Sequence, residues 1–319
     1  MIQYIKNGWY LIKESGRVFG RHPKFLIPMV IVWCIYAPTV LYFKYAFDWN
    51  AHPTAQCFLI AFAIIFGFSL LISFACSMLL ELIQQLESNR KVSVIKAFFS
   101  SIRFNAMQIL PVAFAWSVIW FVLALIDALL SKFRGENNQP FNAENSAKTL
   151  AGYRDASAVS ISIEALKKGV RMVVFLILPG IAWDNLNFFQ ATKKGLVILR
   201  THLSTFIAGF ILTDLAAVII FIMPAILFFL SDKFNVVFPD WVWFVTMIYI
   251  AFGWSYALYL EQLVMANLYL WNYKWEKEVA RARREGRSIP TLEQIPCPSV
   301  LDEVYELAEK SSIAIDPMR

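Results

Sequence analysis

The sequence predicts an all-α polytopic membrane protein with about six transmembrane helices. Three observations lead there. Hydrophobic residues make up 59% of the 319 residues and charged residues only 16%, against roughly 45–50% and about 25% in water-soluble domains. Several apolar runs reach the length of about 20 residues that a bilayer crossing needs. Three times, near Ile2, Ser93 and Asn187, a basic amphipathic segment leads into such a run. Together they describe three repeats of interfacial helix plus helical hairpin, over about 1–88, 89–186 and 187–275.

The spans follow in order: 25–47, 57–80, 109–130, 161–183, 205–230 and 241–270. The fourth is the least apolar. Its clear core, Val170–Trp183, is too short to cross alone, and it reaches full length only if Lys167, Lys168 and Arg171 snorkel outward. A re-entrant segment is the alternative. The first 24 residues are amphipathic, and the run from Phe25 has no small-residue cleavage site, so it reads as a span and not as a cleavable leader.

Positive charge sets the orientation. With six spans and the N-terminus inside, 20 of the 29 Lys and Arg fall on the inner side and 8 on the outer. That bias predicts a bacterial inner-membrane protein with both termini cytoplasmic. Omitting the fourth span would place the eight cations after Leu270 outside.

Each amphipathic segment has an apolar stripe at helical spacing. The second carries Ile95, Phe98, Phe99 and Ile102 opposite Lys96 and Arg103. The first carries Ile2, Ile5, Trp9, Ile12 and Phe19 opposite Lys6, Lys13 and Arg17. The third carries Phe188, Phe189, Leu196, Leu199 and Leu203 opposite Lys193, Lys194 and Arg200. Such helices lie in the interface plane or brace the bundle. Lys96, Arg103, Lys193 and Lys194, with Arg281, Arg283, Arg284 and Arg287 in the tail, are the expected contacts to anionic headgroups. The net charge of +6 thus belongs to topology, not to nucleic acid.

The outer connection of the middle unit, about 131–160, is polar and reads as a mobile or partner-binding loop. The tail, 276–319, is basic and then acidic, and Val300, Val304, Leu307 and Ala308 could form a short amphipathic helix.

Candidate chemistry is sparse. His22, His52 and His202 lie near predicted interfaces and read as solvated or headgroup-facing. No HExxH, GxSxG, phosphate loop or GxGxxG is present, and the four cysteines form no CxxC pair. Neither a cofactor nor a metal is expected. A carboxylate inside a span is the better signal, because charge in hydrocarbon is costly. Asp214 lies about ten residues into the fifth span, without a partner one turn away. It is either a relay or polar substrate contact, or a structural hydrogen bond between spans. Glu81, Asp184 and Glu261 close the even spans near the inner boundary, where they could clamp the basic helices through Lys96 and Arg103, Lys193 and Lys194, or Lys6 and Lys13. Prolines 28, 38, 111, 179 and 224 lie in or at the start of spans, where they kink helices without implying a function.

The opening Lys6-Asn7-Gly8-Trp9-Tyr10-Leu11-Ile12-Lys13-Glu14-Ser15 into Phe25-Leu26-Ile27-Pro28 resembles the start of a family of uncharacterised bacterial six-span membrane proteins. Leu86–Ser93, Val174–Pro179 and Gln190–Gly195 resemble the same family. Its wider relatives include the membrane domain attached to some glycerophosphodiester phosphodiesterases. The resemblance covers about 1–275 and implies the fold but no activity, since the soluble catalytic half of those enzymes is absent.

The leading expectation is a non-enzymatic membrane scaffold or assembly subunit with a protein partner or a second copy of itself. The alternative is a transporter or lipid-handling permease using Asp214.

Overall fold

A computed structural model describes residues 2–87, 92–132, 142–152 and 158–298. Among them there is no strand. The helices are α1 (Ile2–Arg21), α2 (Ile27–Leu41), α3 (Thr54–Glu87), α4 (Val94–Ser100), α5 (Ala106–Lys132), α6 (Ala143–Leu150), α7 (Ala158–Ala182), α8 (Phe188–Thr201), α9 (Leu203–Phe234) and α10 (Asp240–Arg284). Five segments are long and apolar enough to cross a membrane: Pro23–Ala46, Thr54–Leu86, Val94–Leu129, Leu203–Phe234 and Asp240–Arg284. The fold is therefore all-α and of multi-pass membrane type.

Local sequence sets the helix ends. Ser93 caps α4 by accepting from the Lys96 amide at 3.4 Å, and Asn187 caps α8 by accepting from the Gln190 amide at 3.0 Å. Asn185 and Asn235, both with positive φ, follow α7 and α9, as short amide side chains tolerate the left-handed region. No break separates α4 from α5. A π-helical turn, Ser101–Asn105, joins them, so the second amphipathic segment runs directly into its span.

The long helices form an almost closed bundle. α2 packs on α3, α3 on α5, α5 on α7, α9 on α10, and α10 back on α2. α7 stands inside, touching α3, α5, α8 and α10. α10 is the other central element: every residue from Leu258 to Asn272 is buried. A helix buried all round belongs to a core and not to a lipid face. Lipid-type surface lies elsewhere, on stripes such as Leu110, Phe114, Val118 and Val122 of α5 and Ile211, Leu215, Val218 and Ile222 of α9, all exposed.

The three amphipathic helices have a consistent placement. α4 packs on α3, α8 on α7, and α1 on α9 and α10. Each buries a stripe that includes small residues; in α4 the large apolar stripe stays outside, whereas Ile12 and Phe19 of α1 and Phe188 and Leu199 of α8 also pack on the core. In α4 the buried stripe is Ala97, with Ser101 and Asn105 in the turn after it, whereas Ile95, Phe98, Phe99 and Ile102 are exposed. In α8 it is Ala191, Gly195 and Ile198, with Phe189 and Leu196 exposed; in α1 it is Gly8, Leu11, Ser15 and Val18, with Trp9 exposed. Small residues let helix backbones approach closely. A Cβ on Gly8 would stand 2.7 Å from Leu212 Cδ1 and 3.1 Å from the Ala208 backbone.

The outer connection of the middle unit differs from its sequence reading. Within it, α6 is an ordered helix packed on α2 and α10, with Asn145, Ser146, Ala147 and Lys148 buried. Lys148 bonds Glu144 and Asp232, both at 2.6 Å, and Tyr45 and Lys44 reach Thr149 at 2.8 and 2.9 Å. Asn142 starts α6 by capping the Asn145 amide. At the other end of the bundle the tail folds back on α10. Trp271 Nε1 donates to the Ile295 carbonyl at 3.1 Å and Trp275 Nε1 to that of Pro290 at 2.9 Å. The expected helix around 300–308 lies outside the described residues.

Candidate functional site

α7 carries its charges where the sequence makes it least apolar, at Glu164, Lys167, Lys168 and Arg171. These cations were expected to snorkel outward. Lys168 and Arg171 instead turn into the bundle. Arg171 grips Glu261 of α10 with both arms of its fork, Nε to Oε2 at 2.7 Å and Nη2 to Oε1 at 2.8 Å. Lys168 donates to Asp214 Oδ1 of α9 at 3.0 Å and to the Phe210 carbonyl at 3.3 Å, and its Nζ lies 3.9 Å from Glu261 Oε1. The same ammonium sits 4.9 Å from the Phe210 ring centre. The preceding residue, Lys167, pairs with Glu164 at 2.7 Å and Asp127 of α5 at 3.6 Å. The cluster joins α7, α9 and α10, with α5 at its edge.

Its two sides differ. The Glu261 side chain is 4% exposed and that of Lys168 9%, whereas that of Asp214 is 61% exposed. Behind Glu261 the interior stays polar. Gln262 donates to the Phe175 carbonyl at 3.3 Å, and neither amide atom of buried Asn267 has a partner among the described residues. Cys76 of α3 is fully buried within electrostatic reach of Glu261 and Arg171.

Several placements correct the sequence reading. Asp214 and Glu261 were set at different depths, one mid-membrane and one at the inner boundary; a single ammonium reaches both. Depth counted along each span fails because α9 and α10, with 32 and 45 residues, are longer than a bilayer crossing needs. Glu261 meets Arg171 of α7, not a cation of an amphipathic helix. Asp184 of the α7–α8 turn does meet Lys194, at 2.6 Å, and accepts from Tyr269 at 2.6 Å, so Lys194 is turned to protein and not to headgroups. Glu81 forms no ion pair among the described residues and accepts from Gln85 at 3.4 Å. Lys96, Arg103, Lys193, Arg281, Arg283, Arg284 and Arg287 are exposed. His202 is buried, 3.0 Å from Asn272 Oδ1 and edge-on to Trp275, so it is a packing histidine. His22 stacks on Phe25 and His52 on Phe47.

The missed partners were Lys168 and Arg171, and a signal for them existed. Glu164, Lys168 and Arg171 are spaced at i, i+4 and i+7, one face of a helix. A cationic face on a would-be span needs carboxylates from other spans, and Asp214 and Glu261 are two of the four that the sequence singles out.

Chemically, the cluster holds two cations and two carboxylates between three long helices. Among the described residues no group of His, Cys, Asp or Glu could hold a metal ion. No family model, no curated protein and no solved structure matches the chain.

Proposed function

We propose that the chain is a six-span protein of the bacterial inner membrane, with α7 as the fourth span and both termini cytoplasmic, and that it works as a non-enzymatic scaffold or subunit of a membrane assembly. Kinship with the uncharacterised bacterial six-span family belongs to the same proposal. The observation that carries the scaffold reading is the pairing in the cluster: Arg171 is bonded to Glu261 and Lys168 to Asp214. Charges paired in this way lock helices to one another and resist exchange with a transported ion. Support for α7 as a span comes from its 25 residues, roughly 37 Å of helix. Its charged face meets protein partners, which removes the cost that lowers its apolarity. The order of elements supports the threefold internal repeat: α1, α4 and α8 each precede a pair of long segments, with α6 set between the second pair.

A second reading, a lipid-handling or ion-coupled permease, is favoured by one observation: Asp214 is largely exposed while bonded to the buried Lys168.

The test is purification in native membrane patches without detergent, followed by mass spectrometry. A stoichiometric protein partner is the expected result. A lone chain or homo-oligomer enriched in one lipid would reject the scaffold and move the permease reading to first place.

A further inference from the structure

The end of α10 and the returning tail enclose a cleft of about 570 Å³, well away from the α7–α9–α10 cluster. Ligand sites typically occupy 300–1,000 Å³. One wall is a single face of α10: Lys274, Lys277, Glu278 and Arg281, spaced at i, i+3, i+4 and i+7. The other wall is the tail, with Arg287, Ser288 and Gln294. Four cations line the space against one carboxylate, Glu278, and Arg287 also pairs with Glu285 beside the cleft.

This is a built cleft, not a loose basic surface. The indole bonds from Trp271 and Trp275 fix the tail at Ile295 and Pro290. Leu292 and Ile295 are buried, and Thr291 and Gln294 bond each other's backbone amides in a capping box. The cations are also oriented. Arg281 donates to Glu278 at 2.8 Å, and Lys277 lies 4.7 Å from the Tyr273 ring centre. Arginine forks match phosphate oxygens in pairs, and a lysine beside them adds a point charge.

We infer that this cleft binds a phosphate-bearing anion, through Arg281 and Arg287 on opposite walls with Lys274 and Lys277 beside them. The anion is either a lipid headgroup or a free phosphate compound. Only the lipid source rests on the proposed topology, which sets the end of α10 at the inner membrane surface. The phosphate chemistry stands apart from the scaffold reading.

The experiment uses the full chain in nanodiscs. One arm titrates inorganic phosphate and glycerol 3-phosphate into phosphatidylcholine discs. The other reads, by native mass spectrometry, the retention of phosphatidylglycerol over phosphatidylcholine. Expected is saturable binding in at least one arm, weakened tenfold or more by Arg281→Gln with Arg287→Gln, and unchanged by Lys233→Gln at the far end of the bundle. Retained near-native tryptophan signals establish that the variants fold. Binding in the first arm identifies a soluble anion, and binding in the second alone identifies a headgroup. No binding in either arm, or binding indifferent to both arginine changes, overturns the inference. So does binding that emerges only after truncation behind Pro298, which would mean that the chain's own acidic end fills the cleft. A partner recovered from native membranes leaves these results untouched, so the two proposals fail separately.

Discussion

Two lysines, Lys148 and Lys168, each sit between two carboxylates from different parts of the chain, and they are held for different reasons. Lys148 at one end of the bundle has Glu144 and Asp232, both at 2.6 Å, and both side chains reach solvent. Lys168 between α7 and α9 has Asp214 at 3.0 Å and Glu261 at 3.9 Å, with Arg171 sharing Glu261. The first pins a short helix over an end of the bundle, where water can replace a lost partner. The second has one carboxylate, Glu261, buried among long apolar helices, where nothing but protein can replace it. The same ion-pair chemistry is therefore a minor fastening in one place and a condition of assembly in the other. Removing one partner of a buried pair strands a charge, which costs far more than the pair contributes.

That comparison breaks most decisively at Glu261. Glu261→Ala leaves Arg171 stranded and is expected to lower stability by about 3–5 kcal/mol, read as loss of folded protein in thermal unfolding in nanodiscs. Replacing both partners, Arg171→Met with Glu261→Met, is expected to recover most of that loss. A double variant as unstable as the single one would mean that the cluster does more than neutralise itself.

Close packing ranks next. A Cβ at Gly195 would stand 2.9 Å from Ile177 Cγ1, where α8 lies on α7. Gly195→Val is expected to cost about 1–3 kcal/mol by overpacking, in the same unfolding assay. An unchanged midpoint would show that α8 is not fixed on α7.

Asp214→Asn is expected to cost less, about 1 kcal/mol, because its side chain is largely exposed and Lys168 keeps the Phe210 carbonyl and Glu261. Asp232→Asn, at the end of the bundle, is expected to fall below that, under about 1 kcal/mol. A loss at Asp232 equal to that at Glu261 would erase the contrast between the regions.

The pH response of the α6 contact can be set in sign. Burial pulls the Lys148 ammonium down, but its hydrogen bonds and the charges of Asp232 and Glu144 outweigh it, leaving the group above its ordinary 10.5. A raised amine stabilises fully below its unfolded pKa and loses that contribution as pH climbs past the folded one. The α6 contact should thus be insensitive to pH across the neutral range and weaken only above about 10.5. Amide exchange of 143–150 as a function of pH checks this, and loosening near neutrality would reject it.

The smallest expected effect concerns the tail. Burial, and then the Glu14 charge, push the Cys297 thiol up to about 12 from 9.0. The unfolded thiol ionises first, so tail docking weakens as pH rises from 9.0 toward 12. At pH 8, alkylation of Cys297 should be slow in the folded protein and fast in denaturant. Equal rates would mean that the tail does not pack on α10.

Read alone, the residues are enough to establish that the chain is helical and membrane-type, where its long apolar runs lie, and which residues start α4 and α8. Those are local properties: hydropathy over about 20 residues, and a Ser or Asn three residues before the amide it accepts from. The sequence also marked Asp214 as a costly charge and set Glu261 at the inner boundary. Their partners come from the folded bundle, because Lys168 meets Asp214 across 46 positions and Arg171 meets Glu261 across 90. It also decided which face of each amphipathic helix meets protein. Periodicity displays the large stripe, Ile95, Phe98, Phe99 and Ile102, but close approach selects the small one beside it, Ala97, Ser101 and Asn105. Composition likewise made 131–160 a polar loop, whereas Asn142, Lys148 and their contacts with Asp232 and α10 order α6. Apolar length is written along the chain; neutralised charge and interlocked small faces exist only once distant helices meet.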